Sequence, residues 1–236
     1  MPRHVEREPR EANQDLREYP TYTIPEAALY LGMPRRTLQS WVYDKPLWSV
    51  SGSERPVHLL SFKDLAQAYF IEFICKHVGI SGSKAREILK NARLETKSRY
   101  PLLHKDIKVL FKHILMDKPA TGNRRRHVVD LSQHRQLVME EVVDLFASRI
   151  RRNAQGELEQ IYPWRLWKEG DKRRPVTIDP RIMSGRLVIT GTRIPVQMVV
   201  LRKKSGEQIR EIAKDYGLTQ ETIKQALRHL GLRKAA

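Results

Sequence analysis

Apolar positions recur at helical spacing near both ends of this chain and in denser runs between them, so the order of its elements can be read before any chemistry is considered. At Thr23-Ile-Pro-Glu26 a hydroxyl, a first-turn proline and a carboxylate three residues after the hydroxyl predict a capped helix start. Ala27, Ala28 and Leu31 share its buried face, Gly32-Met33 supplies a turn, and Pro34 opens a second helix that buries Leu38, Trp41 and Val42. Trp41 is read as core rather than as a base-stacking surface. Pro46–Val50 and Pro56–Leu60 flank Ser51-Gly52-Ser53 and predict a hairpin. Ser61-Phe-Lys-Asp64 then caps a helix running to about Val78, and Ser81 opens another to about Leu94.

The middle third is less periodic. Asp106–Leu115 reads as one long strand with helical spacing competing, Gly122–Arg126 as a basic loop, and His127–Leu131 as a strand. A helix is predicted from about Gln136 to Ile150, with Leu137, Val142, Leu145, Phe146 and Arg149 along one stripe. Asn153-Ala-Gln-Gly156 signals a turn, Glu159–Trp167 a strand edge, and Glu169–Arg174 a linker. Val176–Ile178 and Arg186–Ile189 are expected to pair around Asp179-Pro180 and Ser184-Gly185, and a helix to begin near Val196. Ser205, with Gln208 completing a capping box, is expected to cap the next helix, which buries Ile209, Ile212, Ala213 and Tyr216. Thr219 caps the last helix, which buries Ile223, Ala226, Leu227 and Leu230 and exposes Gln220, Lys224, Gln225 and Arg228.

The expected fold is α+β and mainly helical. Its predicted divisions are an unstructured arm (1–20), a winged helix-turn-helix (21–95), a β-rich middle region with one helix (96–174) and a C-terminal β-hairpin with a helix-turn-helix (175–232). The 236 residues are 40% hydrophobic and 30% charged, and no apolar run nears the roughly 18 residues that span a bilayer. A cytoplasmic protein without a membrane partner is expected, since the N-terminus has no apolar signal core and Cys75 is the sole cysteine. The 44 Lys and Arg against 27 Asp and Glu leave a formal charge of +17, which points to a polyanionic partner or an acidic protein.

Candidate base and phosphate contacts follow from side-chain chemistry: Arg pairs bidentately with guanine, Gln with adenine, and hydroxyls with base edges or phosphate. On and around the second helix these are Arg35, Arg36, Thr37, Gln39, Ser40 and Tyr43, joined by Thr23, Lys45 and Arg55. Helix pair, wing and two further helices together resemble the DNA-binding half of the MerR family. The cysteine clusters of that family's metal sensors have no counterpart in a chain with one cysteine.

The order Asp179-Pro-Arg-Ile-Met-x-Gly185, Gly191-Thr-Arg-Ile-Pro-Val196 and Ile212-Ala-x-x-Tyr-Gly-Leu218 is similar to a small domain found in antitoxins paired with PIN-type toxins. From about Tyr22 onward the chain thus resembles a VapB-type antitoxin with two helix-turn-helix units. That resemblance implies a protein that neutralises a cognate PIN-domain ribonuclease and binds double-stranded operator DNA as an autorepressor, as a homodimer or in a toxin–antitoxin heterotetramer. The alternative is a stand-alone MerR-like transcriptional regulator. Arg193, Lys224 and Arg228 are candidate toxin or partner contacts, although Arg193 is read first as tying its turn to Asp179 or to backbone carbonyls. The C-terminal helix pair is read as a docking or oligomerisation unit, with a secondary DNA contact through Lys224 and Arg228 left open. No enzyme is expected: Ser81-x-x-Lys84 lacks companion motifs, and there is no Walker loop, His-Glu-x-x-His or Cys-x-x-Cys. No cofactor or metal is expected.

Overall fold

A computed structural model describes residues 15–50, 59–104, 145–163 and 173–231. Its fold is a mixture of helices and small antiparallel sheets, in agreement with the α+β expectation. Helix α1 (Ile24–Leu31) begins as read, with the Thr23 hydroxyl accepting from the Glu26 N–H at 3.3 Å. The Glu26 carboxylate does not complete the box; it accepts from the Tyr30 hydroxyl at 2.8 Å. Gly32, in the left-handed region at φ 68°, ends α1 and lets the chain turn into α2 (Arg35–Gln39). α2 continues without a break into a π-helical turn (Ser40–Asp44), and Leu38, Trp41 and Val42 are buried as expected.

Trp48 and Val50 are buried beyond that turn, and the Trp48 indole N–H donates to Asp64 at 2.9 Å. The tip of the expected wing, with Arg55, lies outside the described residues. At the described end of that segment Leu60 pairs with Tyr22, exchanging backbone bonds of 2.8 and 2.9 Å. The Ser61–Asp64 capping box forms and opens α3 (Phe62–Val78), followed by α4 (Gly82–Thr96). The near-complete burial of α3, from Leu65 through Ile74, makes it the centre of a single apolar cluster that includes residues from α1 to the last helix.

One reading of the middle region changes. The helix expected to reach Ile150 is helical only to residue 147, and Ile150 starts strand β1 (Ile150–Arg152). β1 pairs with β2 (Leu158–Ile161), and the Asn153 side chain closes the intervening turn by accepting from the Gln155 and Glu157 N–H groups. Phe146 fills the space over α3, its ring centroid 4.2 Å from Phe70. The segments 106–115, 122–126 and 127–131 lie outside the described residues. Residues 15–20, assigned no structure from the sequence, form a turn in which Arg17 ion-pairs with Asp15 at 2.6 Å and Glu157 at 2.9 Å.

The C-terminal hairpin pairs as expected: β3 (Val176–Thr177) lies antiparallel to β4 (Val188–Ile189). Ile178 also bridges to Ile161, so the two small sheets are joined. α5 (Val196–Lys204) follows, then α6 (Ile209–Asp215) and α7 (Gln220–His229). The cap of α6 is a correction. Ser205 closes α5 by donating to the Leu201 carbonyl at 3.0 Å, while Gln208 stands at the cap, its N–H held by Glu211. Tyr216, expected to be buried, is half-buried, with the Arg202 guanidinium over its ring.

The C-terminal unit is bolted to α1. The Tyr22 hydroxyl donates to the Gly185 carbonyl at 3.0 Å, and His229, fully buried at the end of α7, lies 2.8 Å from the Tyr30 carbonyl through Nε2. Gly185 has φ 78°, and a Cβ there would stand 2.1 Å from the Tyr22 hydroxyl oxygen. Gly185→Ala is therefore expected to destabilise the fold by roughly 1–3 kcal/mol. In a Tyr22→Phe background the collision is relieved but the backbone cost remains, so a double-mutant cycle by denaturant titration should show a smaller penalty. Equal penalties in both backgrounds would mean that the close approach is not what makes this position glycine.

Candidate nucleic-acid interface

The α1–α2 turn presents one face of the second helix outward. Arg35, Arg36 and Gln39 are exposed, Thr37 and Ser40 half-buried, and Tyr43 and Lys45 exposed at the C-terminal end. Positions 36, 39/40 and 43 share a side by helical spacing, opposite Leu38, Trp41 and Val42 in the core. The π-helical turn closes through the Lys45 N–H to the Ser40 carbonyl at 2.9 Å and is anchored by the Leu47 N–H to the Trp41 carbonyl at 2.9 Å. Rigid backing lowers the entropy lost when such side chains engage a ligand. Among the described residues no carboxylate pairs with Arg35 or Arg36, so their charge is available to a partner. Thr23 is exposed, but its hydroxyl already accepts from Glu26.

A second basic surface adjoins the first. Arg86, Lys90 and Arg93 recur on α4 at i, i+4 and i+7, and Arg86 donates to the Lys45 carbonyl at 2.6 Å. Arg99 donates to the Ser49 carbonyl at 3.0 Å. With Leu47 and Trp48 these four cations line a cavity of about 210 Å³. Arg86 and Arg99 bond to neutral carbonyls and keep their charge, while Lys90 and Arg93 are exposed and have no carboxylate partner among the described residues. The sequence reading missed this stripe. Its signal was the Arg86-x3-Lys90-x2-Arg93 spacing on a helix that was read only for its cap.

A larger cleft, about 400 Å³, lies between residues 17–18, Lys63, the 98–104 segment and the β1–β2 turn. Two of its cations are neutralised, Arg17 by Asp15 and Glu157 and Lys63 by Asp15 and Glu18, while Arg99 and Arg152 donate to backbone carbonyls. Among the described residues no group of three His, Cys, Asp or Glu side chains could hold a metal, and no helix is long and apolar enough to cross a membrane.

The C-terminal candidates are separated by the fold. Arg193 is exposed and does not hold Asp179. Buried Asp179 instead receives the Arg181 backbone N–H at 2.9 Å, the Arg181 guanidinium at 3.1 Å and the Gln160 amide at 2.7 Å. Arg181 stands two residues from Asp179 and reaches it without bending the turn. Lys224 and Arg228, expected to be exposed, are half-buried on α7, and Arg228 pairs with Glu221 at 3.4 Å.

Residues 176–229 match the model of a family described as Protein of unknown function (DUF433). Across nearly its whole length the chain is similar to a Mycobacterium tuberculosis protein named "Putative antitoxin VapB45", with 25% identity over 231 residues, 89% of this chain and 93% of that one. The X-ray crystal structure of Rv2018 from the same organism superimposes with a TM-score of 0.65 at 22% identity, covering 89% of this chain and 98% of that one. That likeness is one of fold.

Asp179 ties β2 to the turn after β3, and its ionisation is linked to folding. Burial pushes its carboxyl up, but the hydrogen bonds from Arg181 and Gln160 outweigh burial and hold it below the usual carboxylate range. A carboxyl depressed in the folded state contributes stability above its unfolded value, about 4, and that contribution is lost as pH falls through the folded value. Thermal denaturation from pH 7 to pH 2 should therefore show a falling acid limb that Asp179→Asn flattens. An unchanged limb in the variant would place the acid sensitivity elsewhere.

Proposed function

We propose that this protein is the antitoxin of a type II toxin–antitoxin pair, which neutralises a PIN-domain ribonuclease and binds operator DNA as an autorepressor in the cytoplasm. The observation that carries the DNA-binding half is the rigidly backed face of Arg35, Arg36 and Gln39, with its cations unpaired among the described residues and the α4 stripe beside it. The toxin-neutralising half rests on the similarity to a protein named as an antitoxin, at 25% identity over most of both chains. In this reading residues 21–95 form a MerR-like winged helix-turn-helix, 96–174 a β-rich middle region with one helix and 175–232 the antitoxin-associated helix-turn-helix unit.

The two basic surfaces have different work to do. Arg36 and Gln39 reach base edges and discriminate sequence, whereas Arg86, Lys90, Arg93 and Arg99 meet phosphates and fix the position of the duplex. Thr37, Ser40, Tyr43 and Lys45 flank the reading helix, and Arg55 is assigned to the wing.

Two double variants separate these roles in binding assays on the DNA upstream of the gene. Arg36→Ala with Gln39→Ala should lower the ratio of specific to non-specific affinity by about 10-fold or more, since a bidentate contact is worth about 1–3 kcal/mol of discrimination. Lys90→Ala with Arg93→Ala should weaken binding to every sequence alike and reduce the salt slope by about 1.8, about 0.9 per phosphate contact. Neither change should impair neutralisation of the toxin. Wild-type affinity and salt slope in both variants would overturn the DNA-binding reading.

A further inference from the structure

α5 carries an apolar surface that the fold does not use. Met198 is 46% and Leu201 51% exposed, one turn apart, and half-buried Ile194 stands four residues before Met198. Val196 and Val199 on the opposite side are fully buried, so the helix is held in the core by one face while the other presents large side chains to solvent. Flexible methionine and leucine side chains suit an interface, where they pack against a partner's surface.

The unpaired charges flanking this surface have one sign. Arg193 is exposed before the helix and Lys204 at its end, and neither has a carboxylate partner among the described residues. Neighbouring Arg202 differs. It pairs with Glu207 and with Asp215, holding α5 against α6. The cations around the patch are therefore those that the fold leaves unneutralised.

We propose that the Met198–Leu201 face of α5 is the docking surface for the protein partner, and that the partner presents an apolar patch rimmed by carboxylates. This rests on the antitoxin reading and specifies its contact. An acidic rim would neutralise Arg193 and Lys204 while the apolar centre is desolvated, a combination that sets both encounter rate and lifetime. A second copy of this chain fits worse. A two-fold contact through the same face would bring Arg193 and Lys204 of one copy against those of the other, like charge on like. Nucleic acid fits worse too, because two large apolar side chains at the centre offer phosphate nothing.

The test uses the full chain and, as probe, the product of the adjacent reading frame, co-expressed and purified. Met198→Ala with Leu201→Ala should weaken the complex at least about 10-fold, as truncation of central interface residues does. Arg193→Glu with Lys204→Glu should slow association and remove its salt dependence. Because all four side chains lie outside the core, melting temperature and DNA binding should be unchanged. A complex of wild-type affinity in both variants overturns the docking face while leaving the antitoxin reading intact. A wild-type chain that does not retain the neighbouring product overturns the antitoxin reading, and this proposal with it. If the apolar variant instead lowers the mass of the isolated chain, the face is a self-interface and the proposal fails.

Discussion

The fold depends on how α1 is held from behind. Its last carbonyls have no partners within the helix, the usual condition of a helix C-terminus. Met33 and Gly32 turn back to satisfy those of Ala28 and Leu29, but the Tyr30 carbonyl is met by His229, the last residue of α7. Just ahead of α1, Tyr22 pairs its backbone with Leu60 and its hydroxyl with Gly185, and its ring stands edge-on to Tyr30. Three distant segments thus converge on nine residues of chain. The C-terminal hairpin and helices are consequently a buttress for the helix pair, and the α2 face can be exposed because α1 is fixed on its other side.

Much of the local order was legible in the sequence. Thr23, Ser61, Ser81 and Thr219 each cap the helix expected of them, because an N-cap bond spans only three residues and needs no tertiary partner. Ser205 and Gln208 show where that logic stops. Both stand ahead of α6 with suitable side chains, and the choice fell to whichever end of the intervening turn packed as helix. His229, which no sequence signal singled out, is buried against a carbonyl 199 positions away. Arg149 sat in a stripe read as apolar and is buried with its guanidinium donating to the Arg173 carbonyl. Such contacts between distant segments have no periodicity to betray them.

The candidate site was legible in part for the same reason. The outward face of α2 follows from helical spacing alone, and Arg35, Arg36 and Gln39 lie where the spacing puts them. The α4 stripe was equally periodic, but its relevance comes from the Arg86 bond that sets it beside Lys45, a contact between segments 41 residues apart. Arg193 was misjudged because two arginines, at 181 and 193, compete for one buried carboxylate, and the nearer one in sequence takes it.

A chain with 44 cations and 27 anions cannot pair its own charges, so where the pairs form decides where the excess remains. Carboxylates are placed at the joints: Asp15 and Glu157 at the N-terminal turn, Asp179 and Glu159 between the sheets, Glu207 and Asp215 between α5 and α6. Apart from the pair made by buried Asp179, these are exposed pairs that add little to stability, typically below about 1 kcal/mol each. Their effect is to hold segments in register and to remove their cations from the outer field. The charge left over lies on α2 and α4, with no exposed apolar residue between Arg35 and Gln39, and around α5, where the rim encloses Met198 and Leu201. The α2 face is therefore polar between Arg35 and Gln39, whereas the α5 surface has an apolar centre. Phosphate, which demands charge and offers no apolar area, complements only the first; a protein surface complements the second.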